Sequence, residues 1–107
     1  MDKFIYMDNA ATTKVAPEVV NVMLPFFTEE YGNPSSAYAF SGKIAKKVAE
    51  ARNTIANAIN ASQKEIFFTA GGSESDNWAI KGVADALKDK GNHIITTKIE
   101  HHAVLHT

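Results

Sequence analysis

The sequence predicts an α/β protein, with helices packed on the start of a mainly parallel sheet. Two short runs rich in aromatic and β-branched residues, IFFT at 66–69 and HIITT at 93–97, flank a helical pattern. The order strand, helix, strand indicates a right-handed crossover between two parallel strands. Because a two-stranded parallel sheet is not stable alone, these strands predict a larger sheet than 107 residues supply.

The N-terminal third combines turns with one helix. Lys3–Met7 is a short apolar run that predicts an extended segment, and the polar stretch DNAATT follows it. Pro17 suits the first turn of a helix, where apolar residues then recur at spacings of three and four. Pro25 should kink or end this helix because proline removes a backbone hydrogen bond. The motif GNPSS at 32–36 predicts a turn.

Two longer helices are expected further along the chain. The first runs from Ser41 to Asn60, with one apolar stripe formed by Ile44, Val48, Ala51, Ile55 and Ile59. The second runs from Ser73 to Lys90, with one apolar face formed by Ile80, Val83, Ala84 and Leu87. Gly91 stands where the end of this helix would favour a left-handed residue.

Composition excludes several classes of protein. The formal net charge of −1 provides no basic surplus for nucleic-acid binding, and the absence of cysteine excludes disulfides and thiolate zinc sites. The N-terminal residues lack the apolar run of a signal peptide, and no stretch approaches the ~20 apolar residues of a membrane span. We therefore expect a soluble cytoplasmic chain that forms one domain or part of a larger one.

Gly71 and Gly72 separate the first predicted strand from the helix that follows. Glycine permits close approach of an anion, and the first turn of a helix presents unpaired amides to it. Ser73 can add a hydroxyl donor, and Asp76 could complete a capping box with Ser73. A tight turn with a serine cap explains the same residues equally well, because short glycine motifs are not specific.

Four histidines are candidates for chemistry. His102 and His106 have the i, i+4 spacing of metal ligands, but no HExxH glutamate accompanies them, so a metal site is the minor interpretation and none is predicted. His93 suits a strand edge. His101 follows a predicted strand at the end where α/β folds bind ligands. Its imidazole could stack on an aromatic ring or move a proton, and a solvent-facing histidine at a helix start fits equally well.

Five motifs then occur in one order: YMDNAATTKVAPEV, YGNPSS, EARNTIANAINAS, EIFFTAGGSESDNWAIKG and HIITTKIEHHAVLHT. Together they closely resemble the N-terminal segment of the cysteine desulfurases, which use pyridoxal phosphate to remove sulfur from L-cysteine. The resemblance covers essentially the whole chain. It implies the fold-type I architecture of aminotransferase-like, pyridoxal-phosphate-dependent transferases, of which this chain is an N-terminal fragment.

The resemblance also implies roles for individual residues. Gly72 and Ser73 would bind the cofactor phosphate at the helix start, and His101 would stack on the pyridine ring and assist in acid–base steps. The substrate side of the site would be formed by Asn9, Ala10, Ala11, Thr12 and Asn33. Residues 1–16 would join a small domain, residues 17–107 would begin the large cofactor-binding domain, and the full-length enzyme would be a homodimer that passes sulfur to an acceptor protein.

The chain departs from the family pattern at two positions and lacks three residues. Tyr38 stands where many members have histidine, and Gly72 where alanine is common. The Schiff-base lysine, the aspartate that pairs with the ring nitrogen and the sulfur-accepting cysteine would lie beyond Thr107, so we expect the isolated chain to be inactive. The alternatives are a related pyridoxal-phosphate enzyme, such as a selenocysteine lyase or an aminotransferase-like relative, and a non-catalytic fragment.

Overall fold

The structure is a computed structural model that describes residues 4–107. Within this range the chain forms five α-helices and one 3₁₀ helix: α1 Pro17–Met23, α2 Pro25–Thr28, α3 Ala39–Ala58, the 3₁₀ helix Gln63–Glu65, α4 Gly72–Ala86 and α5 His102–Leu105. The chain divides into two compact units, with the boundary between Gln63 and Lys64. No helix in the described range combines the length and apolar character needed to cross a bilayer.

The first helical segment is interrupted by proline, as the sequence predicts. α1 begins at Pro17, and its last backbone bond runs from the Leu24 amide to the Val20 carbonyl over 3.0 Å. Pro25 has no N–H to continue this ladder, and α2 begins there instead. The extended run predicted at Lys3–Met7 carries no regular secondary structure over residues 4–7, and Lys3 lies outside the described residues.

α3 confirms the helix predicted at Ser41–Asn60, shifted by two residues toward the N-terminus. Its buried positions are Ser41, Ile44 and Ala56, whereas Ile59 of the predicted apolar stripe is 65% exposed. Asn60 follows the C-cap residue Ile59, and its φ of 55° places it in the left-handed region that asparagine tolerates better than most residues. This conformation lets the Ala61 amide bond the Ala56 carbonyl at 2.9 Å.

α4 is shorter than predicted and ends before Gly91. Its last helical residue is Ala86, and the Leu87 amide bonds the Val83 carbonyl at 3.0 Å. A further turn follows, in which the Lys90 amide bonds the Leu87 carbonyl at 2.8 Å. Gly91 does not have the positive φ of the left-handed region, so the prediction of a left-handed Gly91 is wrong. The helix closes four residues earlier, and Gly91 follows the turn instead of capping α4.

The predicted start of a parallel sheet is not confirmed. Residues 66–69 and 93–97 carry no regular secondary structure, and no strand is assigned anywhere in residues 4–107. A lone parallel pair has too few ladder bonds and covered faces to be stable, so these segments need further strands beside them. Large apolar side chains are accordingly exposed here, with Phe67 at 62% and Ile95 at 87%.

Candidate functional site

The start of α4 presents a set of backbone amides that the helix itself does not use. The first helical bond of α4 runs from the Ser75 amide to the Gly71 carbonyl, at 3.2 Å. The amides of Gly72, Ser73 and Glu74 precede it and therefore have no acceptor within the helix. They lie at the positive end of the dipole of this 15-residue helix. This arrangement attracts an anion.

The glycine pair keeps the approach to these amides open. A Cβ atom placed on Gly71 or on Gly72 would meet no described atom within 4 Å beyond the adjacent residues and the backbone of α4 itself. Gly71 has φ 173° and ψ 176°, an extended conformation that any residue adopts. The chain's own packing therefore does not require glycine at either position. The space beside the amides is available to a ligand, and a phosphate group fits this donor set.

Two hydroxyl groups hold the turn that leads into α4. The Thr69 and Ser75 hydroxyl oxygens lie 2.6 Å apart. Both are also within hydrogen-bonding distance of the Gly71 carbonyl, at 3.2 Å from Thr69 and 3.3 Å from Ser75. Because each hydroxyl has one hydrogen, one of them donates to the Gly71 carbonyl while the other donates to its partner hydroxyl.

The carboxylate that closes this turn is not the one predicted. Glu74 accepts a hydrogen bond from the Ala70 amide at 2.7 Å. The N-cap residue of α4 is Gly71, which has no side chain that could cap the helix. The predicted capping box between Ser73 and Asp76 is therefore wrong. The Ser73 hydroxyl makes no hydrogen bond to any described residue and is exposed. It is available to a ligand at the helix start.

His101 lies at the N-cap of α5. Its Nδ1 accepts a hydrogen bond from the Ala103 amide at 3.1 Å. In the neutral ring this bond assigns the proton to Nε2. The ring is exposed, which leaves the Nε2–H group able to donate a hydrogen bond to a ligand.

One residue that the sequence analysis missed joins α4 to α5. Asn77 Nδ2 lies 3.0 Å from the Ser73 carbonyl oxygen and 3.3 Å from the Ala103 carbonyl oxygen. The structure thus brings the helix start with Gly72 and Ser73 together with the short helix that begins at His101. The only sequence signal for Asn77 is its position four residues after Ser73, one helical turn along α4.

The other three histidines take no part in the hydrogen bonds that connect α4 to His101. His102 Nδ1 is 3.2 Å from His106 Nε2, and the two rings stack at 5.3 Å with an angle of 7°. Among the described residues, no group of three or more His, Cys, Asp or Glu side chains is placed to hold a metal ion. His93 lies beside the apolar face of α4, where it lines a cavity of about 630 Å³.

The segment predicted to lie on the substrate side forms a compact turn in the first unit. The Ala11 and Thr12 amides bond the Asp8 carbonyl at 3.1 and 3.4 Å, and the Thr13 hydroxyl bonds the Asn9 carbonyl at 3.3 Å. Tyr6 fastens this turn, because its hydroxyl donates to the Asp8 carbonyl at 2.9 Å and lies 2.9 Å from the Thr12 hydroxyl. Ala10 lies within the same turn. The substrate-side role of these residues stays a prediction.

Asn33 also forms a turn of the first unit. Its Oδ1 accepts from the Ser35 amide at 2.9 Å, and its carbonyl accepts from the Ser36 amide at 3.1 Å. The preceding Gly32 is required here, since a Cβ would come within 2.9 Å of the Phe40 ring. The GNPSS motif therefore forms the predicted turn, and the ligand-facing role of Asn33 stays a prediction.

The comparisons with known proteins place the chain in a family. The family model described as aminotransferase class-V matches residues 5–107, and the chain belongs to that family. Within the family, the chain is 65% identical over its whole length to a cysteine desulfurase IscS of Clostridium botulinum, and 60% identical over 99% of its length to that of Methanosarcina thermophila. A solved NifS-like protein superposes on 95% of the chain with a TM-score of 0.88 and 42% identity.

The chain spans about a quarter of the length of these proteins. It covers 27% of the Clostridium botulinum relative, 26% of the Methanosarcina thermophila relative and 28% of the NifS-like protein. The fold of this segment is therefore that of class-V aminotransferases. Activity, substrate and partners are properties of the longer proteins, and for this chain they are matters of proposal.

Proposed function

We propose that this chain is the N-terminal part of a pyridoxal-phosphate-dependent cysteine desulfurase, which converts L-cysteine to L-alanine and leaves the sulfur as a persulfide on the enzyme. The observation that carries the proposal is the open helix start of α4. Unpaired amides, an unobstructed approach at Gly71 and Gly72 and the unbonded Ser73 hydroxyl all meet there. The identity of 65% to a protein of that name supports the choice of reaction.

The residues of this chain would hold the cofactor at two places. The amides of Gly72, Ser73 and Glu74 and the Ser73 hydroxyl bind the phosphate, and the imidazole of His101 lies against the pyridine ring. When bound, pyridoxal phosphate supplies the electron sink that activation of an amino acid substrate needs. In this tautomer the Nε2–H group of His101 would donate a hydrogen bond, and the ring would take up a proton only at Nδ1, by releasing the Ala103 amide.

Persulfide formation needs a thiolate, and these 107 residues include no cysteine. The sulfur-carrying thiol therefore lies outside this segment, and we expect the segment alone to form no alanine. A sulfur-acceptor protein, a homodimeric assembly and a cytoplasmic location belong to the same proposal.

The test is incubation of the intact protein, loaded with pyridoxal phosphate, with L-cysteine and separately with L-selenocysteine. We expect alanine from L-cysteine, in equal amount to persulfide plus sulfide. Alanine from L-selenocysteine alone would instead assign a selenocysteine lyase, and a loaded protein that forms no alanine from either would refute the proposal. Mass spectrometry of the intact protein verifies that the Ser73 segment and the remaining chain are both present.

A further inference from the structure

Asn77 uses its whole side-chain amide to connect the two helices of the proposed site. Its Oδ1 accepts a hydrogen bond from Lys81 Nζ at 2.9 Å, and its Nδ2 reaches the carbonyls of Ser73 at 3.0 Å and Ala103 at 3.3 Å. Asn77 is half-buried, whereas Ser73 at the helix start is exposed.

The lysine determines which way this amide faces. An ammonium group only donates hydrogen bonds, so the atom of Asn77 that contacts Lys81 must be the carbonyl oxygen. The NH₂ group then faces the two backbone carbonyls, and each of its hydrogens has one acceptor. This orientation follows from the partners on both sides.

The two acceptors of Asn77 belong to the two functional ends of the site. Ser73 carries the hydroxyl proposed to bind phosphate. Ala103 accepts from Asn77 through its carbonyl and donates through its amide to Nδ1 of His101, at 3.1 Å. A chain of three residues therefore runs from the phosphate-binding turn to the ring of His101.

We propose that Asn77 is a positioning residue that fixes the His101 ring relative to the phosphate-binding turn. The inference rests on the proposed function. Asn77 contacts neither the helix-start amides of Gly72 and Ser73 nor the imidazole itself, so it acts on the site through the backbone carbonyls of Ser73 and Ala103. A purely structural role, in which Asn77 only stabilises the packing of α5 on α4, predicts an unchanged circular dichroism band in Asn77→Ala and kcat losses that multiply in the double variant.

The test compares Asn77→Ala, His101→Ala and the double variant in the intact protein. Alanine is the best helix former, so the Asn77→Ala protein should fold. We expect it to bind pyridoxal phosphate with a Kd within about threefold of the unsubstituted protein, since the phosphate donors are unchanged. Its visible circular dichroism band should change toward that of His101→Ala, because the ring next to the cofactor is no longer fixed.

Kinetics and amide exchange provide the second and third readouts. We expect the loss in kcat of the double variant to equal that of His101→Ala alone, because coupled residues are not additive. Without cofactor, the α5 amides of Val104 and Leu105 should exchange about tenfold faster in Asn77→Ala. Asn57→Ala, which changes an exposed asparagine on α3, is the matched control and should alter none of these quantities.

Two results would overturn the role of Asn77. One is an unchanged circular dichroism band in Asn77→Ala. The other is a double variant in which the two kcat losses multiply. If the unsubstituted protein binds no pyridoxal phosphate, the proposed function itself fails, and the cofactor-free exchange of Val104 and Leu105 still decides whether Asn77 holds α5.

Discussion

Replacing Ser73 by alanine should separate ligand binding from stability at the start of α4. The Ser73 hydroxyl is exposed and makes no hydrogen bond to the described residues, so the free energy of unfolding should change by less than about 0.5 kcal/mol. A hydrogen bond from this hydroxyl to a charged phosphate contributes about 1.5–3 kcal/mol. Its loss should weaken binding of pyridoxal phosphate by roughly 10- to 150-fold.

The assay is titration of the cofactor-free intact protein with pyridoxal phosphate, followed by absorbance, together with urea unfolding of the same sample. Ser75→Ala is the matched control on the same helix. Its hydroxyl bonds Thr69 and Gly71 in the turn, so that variant should lose about 1 kcal/mol of stability. Its cofactor Kd should change by less than about threefold, because Ser75 follows the unpaired amides. The reasoning is refuted if Ser73→Ala binds the cofactor normally, or if it loses as much stability as Ser75→Ala.

Three further substitutions test turns within the two units. Tyr6→Phe removes the hydroxyl that bonds the Asp8 carbonyl and the Thr12 hydroxyl in the turn. KM for L-cysteine should therefore rise about three- to tenfold while the cofactor Kd stays constant. An unchanged KM in steady-state kinetics would contradict the substrate-side role. Glu74→Gln weakens the charged bond to the Ala70 amide and should lower the free energy of unfolding by about 0.5–1 kcal/mol in urea titrations. The same variant should bind inorganic phosphate more tightly, because a carboxylate no longer repels it, and weaker binding would contradict this account. Asn33→Ala removes the side-chain oxygen that accepts from the Ser35 amide, so the free energy of unfolding in urea should fall by about 1 kcal/mol. Asn33→Asp keeps an acceptor oxygen and should lose much less stability. Equal losses in the two variants would show that the acceptor has no role.

The start of α4 is predictable from sequence because its chemistry is local. Two glycines followed by a serine before a helical pattern favour a helix start with exposed amides, and this preference depends on neighbouring residues only. The structure places Gly72 as the first residue of α4 and leaves the Ser73 hydroxyl available, as the phosphate-binding interpretation requires. The break at Pro25 is equally local, because one missing N–H decides it.

Features that depend on distant or competing partners were not predictable. The strands at 66–69 and 93–97 have the right composition, but a strand also needs neighbours to pair with, and residues 4–107 form none. Glu74 and Asp76 both lie within reach of the turn, and only the folded geometry shows that Glu74 occupies it. The sequence does not show that Asn77 connects α4 to α5, because its second acceptor lies 26 residues away, on α5.

The most direct test of the central claim is a crystal structure of the intact protein with pyridoxal phosphate. We predict phosphate oxygens within about 2.7–3.2 Å of the Gly72 and Ser73 amide nitrogens and about 2.5–3.0 Å from the Ser73 hydroxyl oxygen. A phosphate group bound elsewhere, with the amides at the start of α4 facing water or other side chains, would contradict the account.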